Sequence, residues 1–378
     1  MSVTTASFAP QSTVSSDPEQ FWLRNRRWDL AFITLSVILV PLPYLFYLIG
    51  LQLGVEPDTS RNLVNGFVAV AVGGPHMMST MLRTGLDQSF KKQYPMLIRS
   101  SIIIPLVVVS LAFLNLTLLL TIFFFWASLH VLHQVTYIVE LYNHKEHHFV
   151  RPQQSTLSPK ARMIDYAVIM SCLFPFAAFK ISKGSFDIGV NNLASVIPGF
   201  FQQTWFFVVM ATIFGVALTA FIIKTIREYR GGYINWPKTI FIVLTIAVAF
   251  TIPALPNLDT AFQGMNTWHS FQYLAITFYI IKIRQEYGSL NQDAPLVSRF
   301  SKKDSRGLFA LSTVMLVGTG VVFVLVYGFI YLFMPDTPPN QHFDTAYYTS
   351  VLSFLWIHYY HDHFLFTDFE ALDKAYGH

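Results

Sequence analysis

A single cysteine, Cys172, stands among 378 residues. It excludes an internal disulfide, a thiolate-bound iron–sulfur cluster and a Cys-ligated structural zinc site within one chain. Charge is scarce as well: Asp, Glu, Lys and Arg make up 12% of the chain, about half the share in soluble domains. The chain contains no phosphate-binding G-x-x-x-x-G-K-[ST] loop, no Rossmann glycine fingerprint and no nucleophile-elbow serine, which removes the common nucleotide-binding and α/β-hydrolase chemistries. The formal charge is only +4, and the basic residues lie between hydrophobic runs rather than in one patch. No nucleic-acid partner is expected. Residues 1–20 lack a basic segment followed by an apolar core, so no cleaved signal peptide is expected, only a disordered polar leader.

What the chain has is apolar length. Hydrophobic residues reach 53% and the mean hydropathy is +0.46. A span needs about 20 apolar residues. On that measure residues 21–378 read as one all-α domain, a polytopic transmembrane helix bundle of about 10 spans. The spans fall near 29–50, 62–84, 163–182, 203–225, 238–254, 261–283, 307–334 and 344–366, with the overlong run 97–142 divided at Asn115. Charge supports this division. With both termini cytoplasmic, the inner connections hold groups such as Lys91, Lys92 and Arg99, or Lys302, Lys303 and Arg306. The outer ones hold Asp58, Asp187, Asp259 and Asp336 with few basic residues, as the positive-inside rule requires. The protein is expected to be a multi-pass integral membrane protein of a bacterial inner or plasma membrane.

Five of the twelve histidines lie between Trp126 and His148. Read at helical spacing, His130, His133, Tyr137, Glu140, His144 and His147 share one face. Imidazole and carboxylate at membrane depth are costly unless they pair, bind metal or line a wet cavity. Counting residues along each expected span puts His76, His130, His133, His358 and His361 in one layer, about 14–17 residues inward from the outer surface. His269, about eight residues inward, falls a turn or more above it.

His130-x-x-His133 and His358-x-x-His361 are i, i+3 pairs whose rings can reach one metal or two adjacent metals; the alternative is histidines bonded to neighbouring helices. Asp362 can ligate, or orient a ligating histidine. His76 follows a Gly73-Gly74-Pro75 break that loosens its helix. His269, Gln272 and Tyr273 form a polar face that suits a ligand, a partner of a ligand or a substrate contact. Tyr137, Glu140 and Gln272 are candidate catalytic groups. Glu140 reads equally as a helix-end partner of Lys145 or Arg162, and His144, His147 and His148 as a solvated loop.

The string His144-x-x-His147-His148 resembles a histidine box of the integral-membrane desaturases, hydroxylases and alkane monooxygenases. That resemblance implies non-haem iron held near the cytoplasmic face. Gly-Pro-His at 74–76 loosely resembles an element of the bacterial and archaeal membrane carotene-cleaving dioxygenases, which adds carotenoids to the substrate classes. A mostly-histidine ligand set favours iron over magnesium, manganese or calcium. The expectation is one or two irons, O2 as co-substrate, a lipophilic substrate such as an acyl chain or isoprenoid drawn from membrane lipid, and an external electron donor. A bis-histidine haem protein for electron transfer and a metal or proton transporter remain as alternatives.

Overall fold

The computed structural model describes residues 21–149, 155–189, 191–336 and 338–376; the expected leader and His378 lie outside them. The described chain is almost wholly helical. Its one sheet is an antiparallel pair of two-residue strands, Asp187–Ile188 with Asn191–Asn192. The long helical rods are α1 (Arg26–Gln52), α2 (57–83), α3 (Pro95–Leu114), α4 (Leu116–Phe149), α5 (Pro159–Ser182), α6 (Thr204–Arg230), α7 (Trp236–Ala254), α8 (Leu258–Glu286), α9 (Asp304–Phe333) and α10 (Pro339–Leu365), followed by the short α11 (Glu370–Tyr376).

Seven of these rods are long and apolar enough to cross a membrane: α1, α3, α4, α5, α6, α7 and α9. They mark the chain as a membrane protein. The other three, α2, α8 and α10, fall short of that apolar criterion because they carry the polar residues of the interior. The division of labour is physical. Helices α3, α6 and α9 are mostly exposed apolar surface, while α8 is buried along nearly its whole length. The break expected at Asn115 is present. Its backbone leaves the helical region (φ −161°, ψ 86°), and its Oδ1 accepts from the Leu118 N–H at 2.9 Å, capping α4 as α3 ends.

Apolar side chains gain little by leaving lipid for protein, so close backbone approach and polar contacts must hold such helices together. Gly264 of α8 lies against α1: a Cβ there would stand 2.0 Å from the Val40 carbonyl oxygen. Polar clasps join the rods at both ends. Arg61 of α2 meets Asp344 of α10 at 3.1 Å and Asp259 of α8 at 3.3 Å. At the opposite end Arg83 of α2 reaches Asp368, just beyond α10, at 3.4 Å, and Tyr137 of α4 donates to the Asp368 carbonyl at 3.4 Å. Helices α2, α4, α8 and α10 therefore run in the same direction. Two further pairs join α6 to α5, Lys224–Asp165 (2.9 Å), and α7 to α4, Lys238–Glu146 (3.5 Å).

Two π-helical turns interrupt the rods, Leu30–Thr34 in α1 and Ala69–Gly73 in α2. Such turns concentrate at functional sites because the inserted residue re-aims every side chain beyond it. The second ends three residues before His76, and the first accepts a hydrogen bond from Gln272, three residues after His269.

Candidate metal centre

Four histidines from the four parallel helices converge: His76 of α2, His130 of α4, His269 of α8 and His358 of α10. One ring nitrogen from each lies within 4.8 Å of the others. The rings form a closed circuit. Centroids are 4.8 Å apart for His76–His269, 5.1 Å for His269–His130, 4.9 Å for His130–His358 and 4.3 Å for His358–His76, all edge to face. None is more than 5% exposed.

Local sequence aims each ring. Pro75 offers no N–H to the preceding turn, and a π turn, Ala69–Gly73, precedes the helical segment that carries buried His76. A Cβ on Gly74 would meet the Ala69 carbonyl oxygen at 2.4 Å and Leu316 of α9 at 2.6 Å, so glycine lets the distorted turn press against its neighbour. Gln134 of α4 donates to the His269 carbonyl at 3.1 Å, fixing α8 against α4. Tyr359 stacks on His130 at 4.1 Å and 27°.

The chemistry of the donor set is in its unmet atoms. Nδ1 of His76, Nε2 of His130, both ring nitrogens of His269 and Nε2 of His358 are buried without a hydrogen-bond partner. A buried polar atom left unpaired costs roughly 1–3 kcal/mol. Five together reach the order of a whole domain's net stability, about 5–15 kcal/mol. One transition-metal ion would satisfy four of these atoms together, one from each ring, leaving the second nitrogen of His269. Ligand bonds of about 2.1 Å put pairs of nitrogens roughly 3.4–4.2 Å apart on a single ion, which the 4.8 Å limit accommodates with small ring movements.

Around His358 lies a set of hydrogen bonds. Thr80 Oγ1 is 2.6 Å from His358 Nδ1, donates to Asp362 Oδ1 at 2.9 Å and lies 2.7 Å from the Tyr273 hydroxyl. Tyr273 donates to the same Asp362 oxygen at 2.6 Å. Asp362 Oδ2 has no hydrogen-bond partner and stands 3.4 Å from His358 Nδ1 and 3.8 Å from His130 Nε2.

The other residues singled out from the sequence lie elsewhere. His133 is half-buried, its ring 5.5 Å from exposed His363 and 5.2 Å from Phe366. His361 bonds through Nδ1 to Thr84 at 3.0 Å and through Nε2 to Ser101 at 2.7 Å. Glu140 makes a two-pronged pair with Arg162 at 2.7 and 3.2 Å. Tyr137 packs between Phe366 and Phe369. Gln272 donates to the Ile33 carbonyl at 2.7 Å, inside the π turn of α1. His144 pairs with Asp373 at 2.9 Å and stacks on Phe369. Together with His147 it lines a separate cavity of about 380 Å3, walled also by Glu140 and Arg162. The side chain of His148 lies outside the described residues. Asp362 stands beside the four rings without joining the group of mutually close ligand atoms.

His269, placed a turn or more too high by residue counting, is one of the four. The reason is where the helices begin. Asp259, Asp344 and Arg61 lie at one level, yet His269 is ten residues beyond Asp259, His358 fourteen beyond Asp344 and His76 fifteen beyond Arg61. The difference of about 6–7 Å at 1.5 Å per residue is taken up by side-chain reach, helix tilt and the π turn of α2. Thr80 was not singled out from the sequence at all, although its place four residues after His76 puts it on the same face.

Comparison of the chain with protein-family models, with curated proteins and with solved structures gives no match.

Proposed function

We propose that the protein is a membrane-embedded non-haem iron enzyme that oxidises a lipophilic substrate with O2. The observation carrying this reading is the convergence of partnerless buried nitrogens from four helices. Their neutral imidazole donors suit iron, zinc, copper or nickel rather than calcium or magnesium. Iron bound there would supply redox chemistry with O2. The protein's own part is to hold four rings rigidly, to exclude bulk water from them and to admit a substrate from lipid.

A single ion is favoured over two. Among the described residues the carboxylate beside the rings is that of Asp362. Its Oδ1 is held by Thr80 and Tyr273, and it lies outside the group of mutually close ligand atoms, which favours one ion over a carboxylate-bridged pair. Haem is disfavoured because a porphyrin needs two axial nitrogens across an open disc, and four rings from four sides fill that space. A transporter is disfavoured because its ions must exchange, whereas these four rings are enclosed. In the full reading α2, α8 and α10 complete a ten-span bundle with seven apolar rods around them. Both termini are then cytoplasmic, in a bacterial inner or plasma membrane. Acyl chains, carotenoids and other isoprenoids fit as substrates reaching the site sideways. Hydroxylation or desaturation would draw electrons from an external donor; double-bond cleavage by both atoms of O2 would not.

The test is isotopic. Full-length protein is loaded anaerobically with ferrous iron, mixed with a bacterial lipid extract and excess ascorbate as electron donor, and exposed to 18O2, and the lipids and released water are analysed by mass spectrometry. An oxidised or desaturated lipid, or 18O in water, that depends on the protein and on His269 supports the reading. Iron retained with no change in any lipid fraction contradicts it.

A further inference from the structure

Each of the four ligand-bearing helices carries a polar residue four positions after its histidine: Thr80 after His76, Gln134 after His130, Tyr273 after His269 and Asp362 after His358. Because the four helices run in the same direction, this repeat makes a second layer whose backbone lies one turn, about 6 Å along the axis, nearer the Arg83 end. Three of the four members bond to one another. The fourth, Gln134, holds the His269 backbone. All four are fully or almost fully buried, except that Tyr273 keeps 3% exposure.

Proton counting assigns the work of this layer. Thr80 has one hydroxyl proton and two lone pairs. It donates that proton to Asp362 Oδ1 at 2.9 Å, since a carboxylate only accepts. The 2.6 Å contact between Thr80 Oγ1 and His358 Nδ1 then needs its proton from the imidazole. With Asp362 ionised and Tyr273 donating to it as well, Thr80 and Tyr273 stand 2.7 Å apart on their shared acceptor. The imidazole N–H completes the Thr80 contact, which puts the His358 proton on Nδ1 and its lone pair on Nε2. That Nε2 is the partnerless atom. Tyr273 donates to the same carboxylate oxygen at 2.6 Å and so holds Asp362 in place from α8. Arg83, one turn further along α2, lies within electrostatic reach of Asp362 and Tyr273 and offsets the buried charge. A carboxylate isolated here would be strongly unfavourable.

We propose that Thr80 is the positioning residue of the centre. Through its bond to Asp362 it selects the His358 tautomer whose Nε2 can bind metal, and through Tyr273 it registers α2, α8 and α10 against one another at ligand level. The inference rests on the metal-binding reading but not on the identity of the substrate. It explains a residue type that packing alone does not require: valine has the same shape as threonine and would fill the space without the relay.

The experiment uses full-length protein in detergent, titrated with ferrous iron and separately with cobalt(II), whose visible ligand-field bands report coordination. Thr80→Val is expected to weaken metal binding by about 10- to 100-fold, the usual effect of losing a partner of a metal-ligating histidine, and to change the cobalt bands. Thr80→Ser, which restores the hydroxyl, is expected to bind within about threefold of the parent with its spectrum. Thr80→Ala is read in the same way if Thr80→Val is not recovered as a monodisperse protein. Parental affinity and spectrum in the folded hydroxyl-less variant overturn the inference, as does an equal loss in Thr80→Ser. A parent protein that binds neither metal overturns the metal reading itself, a result distinguishable from both.

Discussion

His269→Ala against His133→Ala separates the geometry of the folded protein from the spacing of the sequence. His133 sits in an HxxH pair and in the expected histidine layer; His269 sits in neither. Yet His269 has two buried nitrogens without partners and belongs to the four-ring group, while His133 is half-buried beside His363. The magnitude follows from the ligand count. Four-ligand metal sites are worth roughly 10–16 kcal/mol, or about 3 kcal/mol for each of four ligands, which is on the order of 100-fold in affinity. His269→Ala is expected to lose that much, and His133→Ala to stay within about threefold. The assay is competition with a calibrated chelator in detergent, with monodisperse elution as the folding control. Tight binding in His269→Ala together with loss in His133→Ala would refute the four-ring site and restore the HxxH pairs as the ligands.

Further outcomes follow from the surrounding structure. Glu140→Gln is expected to leave metal binding unchanged, because Glu140 is spent on Arg162; a loss of metal would return it to the centre. Gly264→Ala is expected to lower thermal stability by about 1–3 kcal/mol, the usual cost of overpacking, since its Cβ would press on the Val40 carbonyl; an unchanged melting temperature would contradict the close contact of α8 with α1. Asp87, in the connection after α2, is pushed up by burial, but Arg284, 2.6 Å away, and the hydrogen bonds from Phe90 and Ser89 together outweigh that, so its net pKa lies below 3.8. Its contribution is therefore complete above about pH 4 and fades as acid protonates the folded carboxylate. Asp87→Asn is expected to be less stable than the parent at neutral pH and to show a shallower loss below about pH 4; parallel curves would contradict the pairing.

Much of the architecture was legible because lipid constrains it. Apolar runs gave the long rods, and the Asn115 break followed from a run too long for one crossing. All four clustered histidines, His76, His130, His269 and His358, were among the candidates legible in the sequence, although only His76, His130 and His358 fell in the expected layer. What spacing alone misses is rotation. Residues i and i+3 differ by about 60° around a helix axis, so one member of an HxxH pair faces the centre while the other is carried to a neighbour. His361 goes to Thr84 and Ser101, and His133 to the seam with His363. The HxxHH string was misleading for another reason. Helix α4 continues unbroken for 34 residues, which takes His144 about 21 Å along the axis from His130 at 1.5 Å per residue. Depth counting failed for His269 because helix starts are set by the Arg61 clasp and not by a common membrane plane. Thr80 was invisible because nothing in a single sequence distinguishes a relay hydroxyl from an ordinary helix threonine.

The central claim is that four imidazoles, and no carboxylate, grip one metal ion. X-ray absorption at the iron edge of the full-length, iron-loaded protein tests it most directly. The expected result is one iron per chain with outer-shell scattering from about four imidazole rings, falling by one ring in His269→Ala. A centre with two or fewer imidazoles, an iron–iron distance, or a spectrum unchanged by His269→Ala would contradict it.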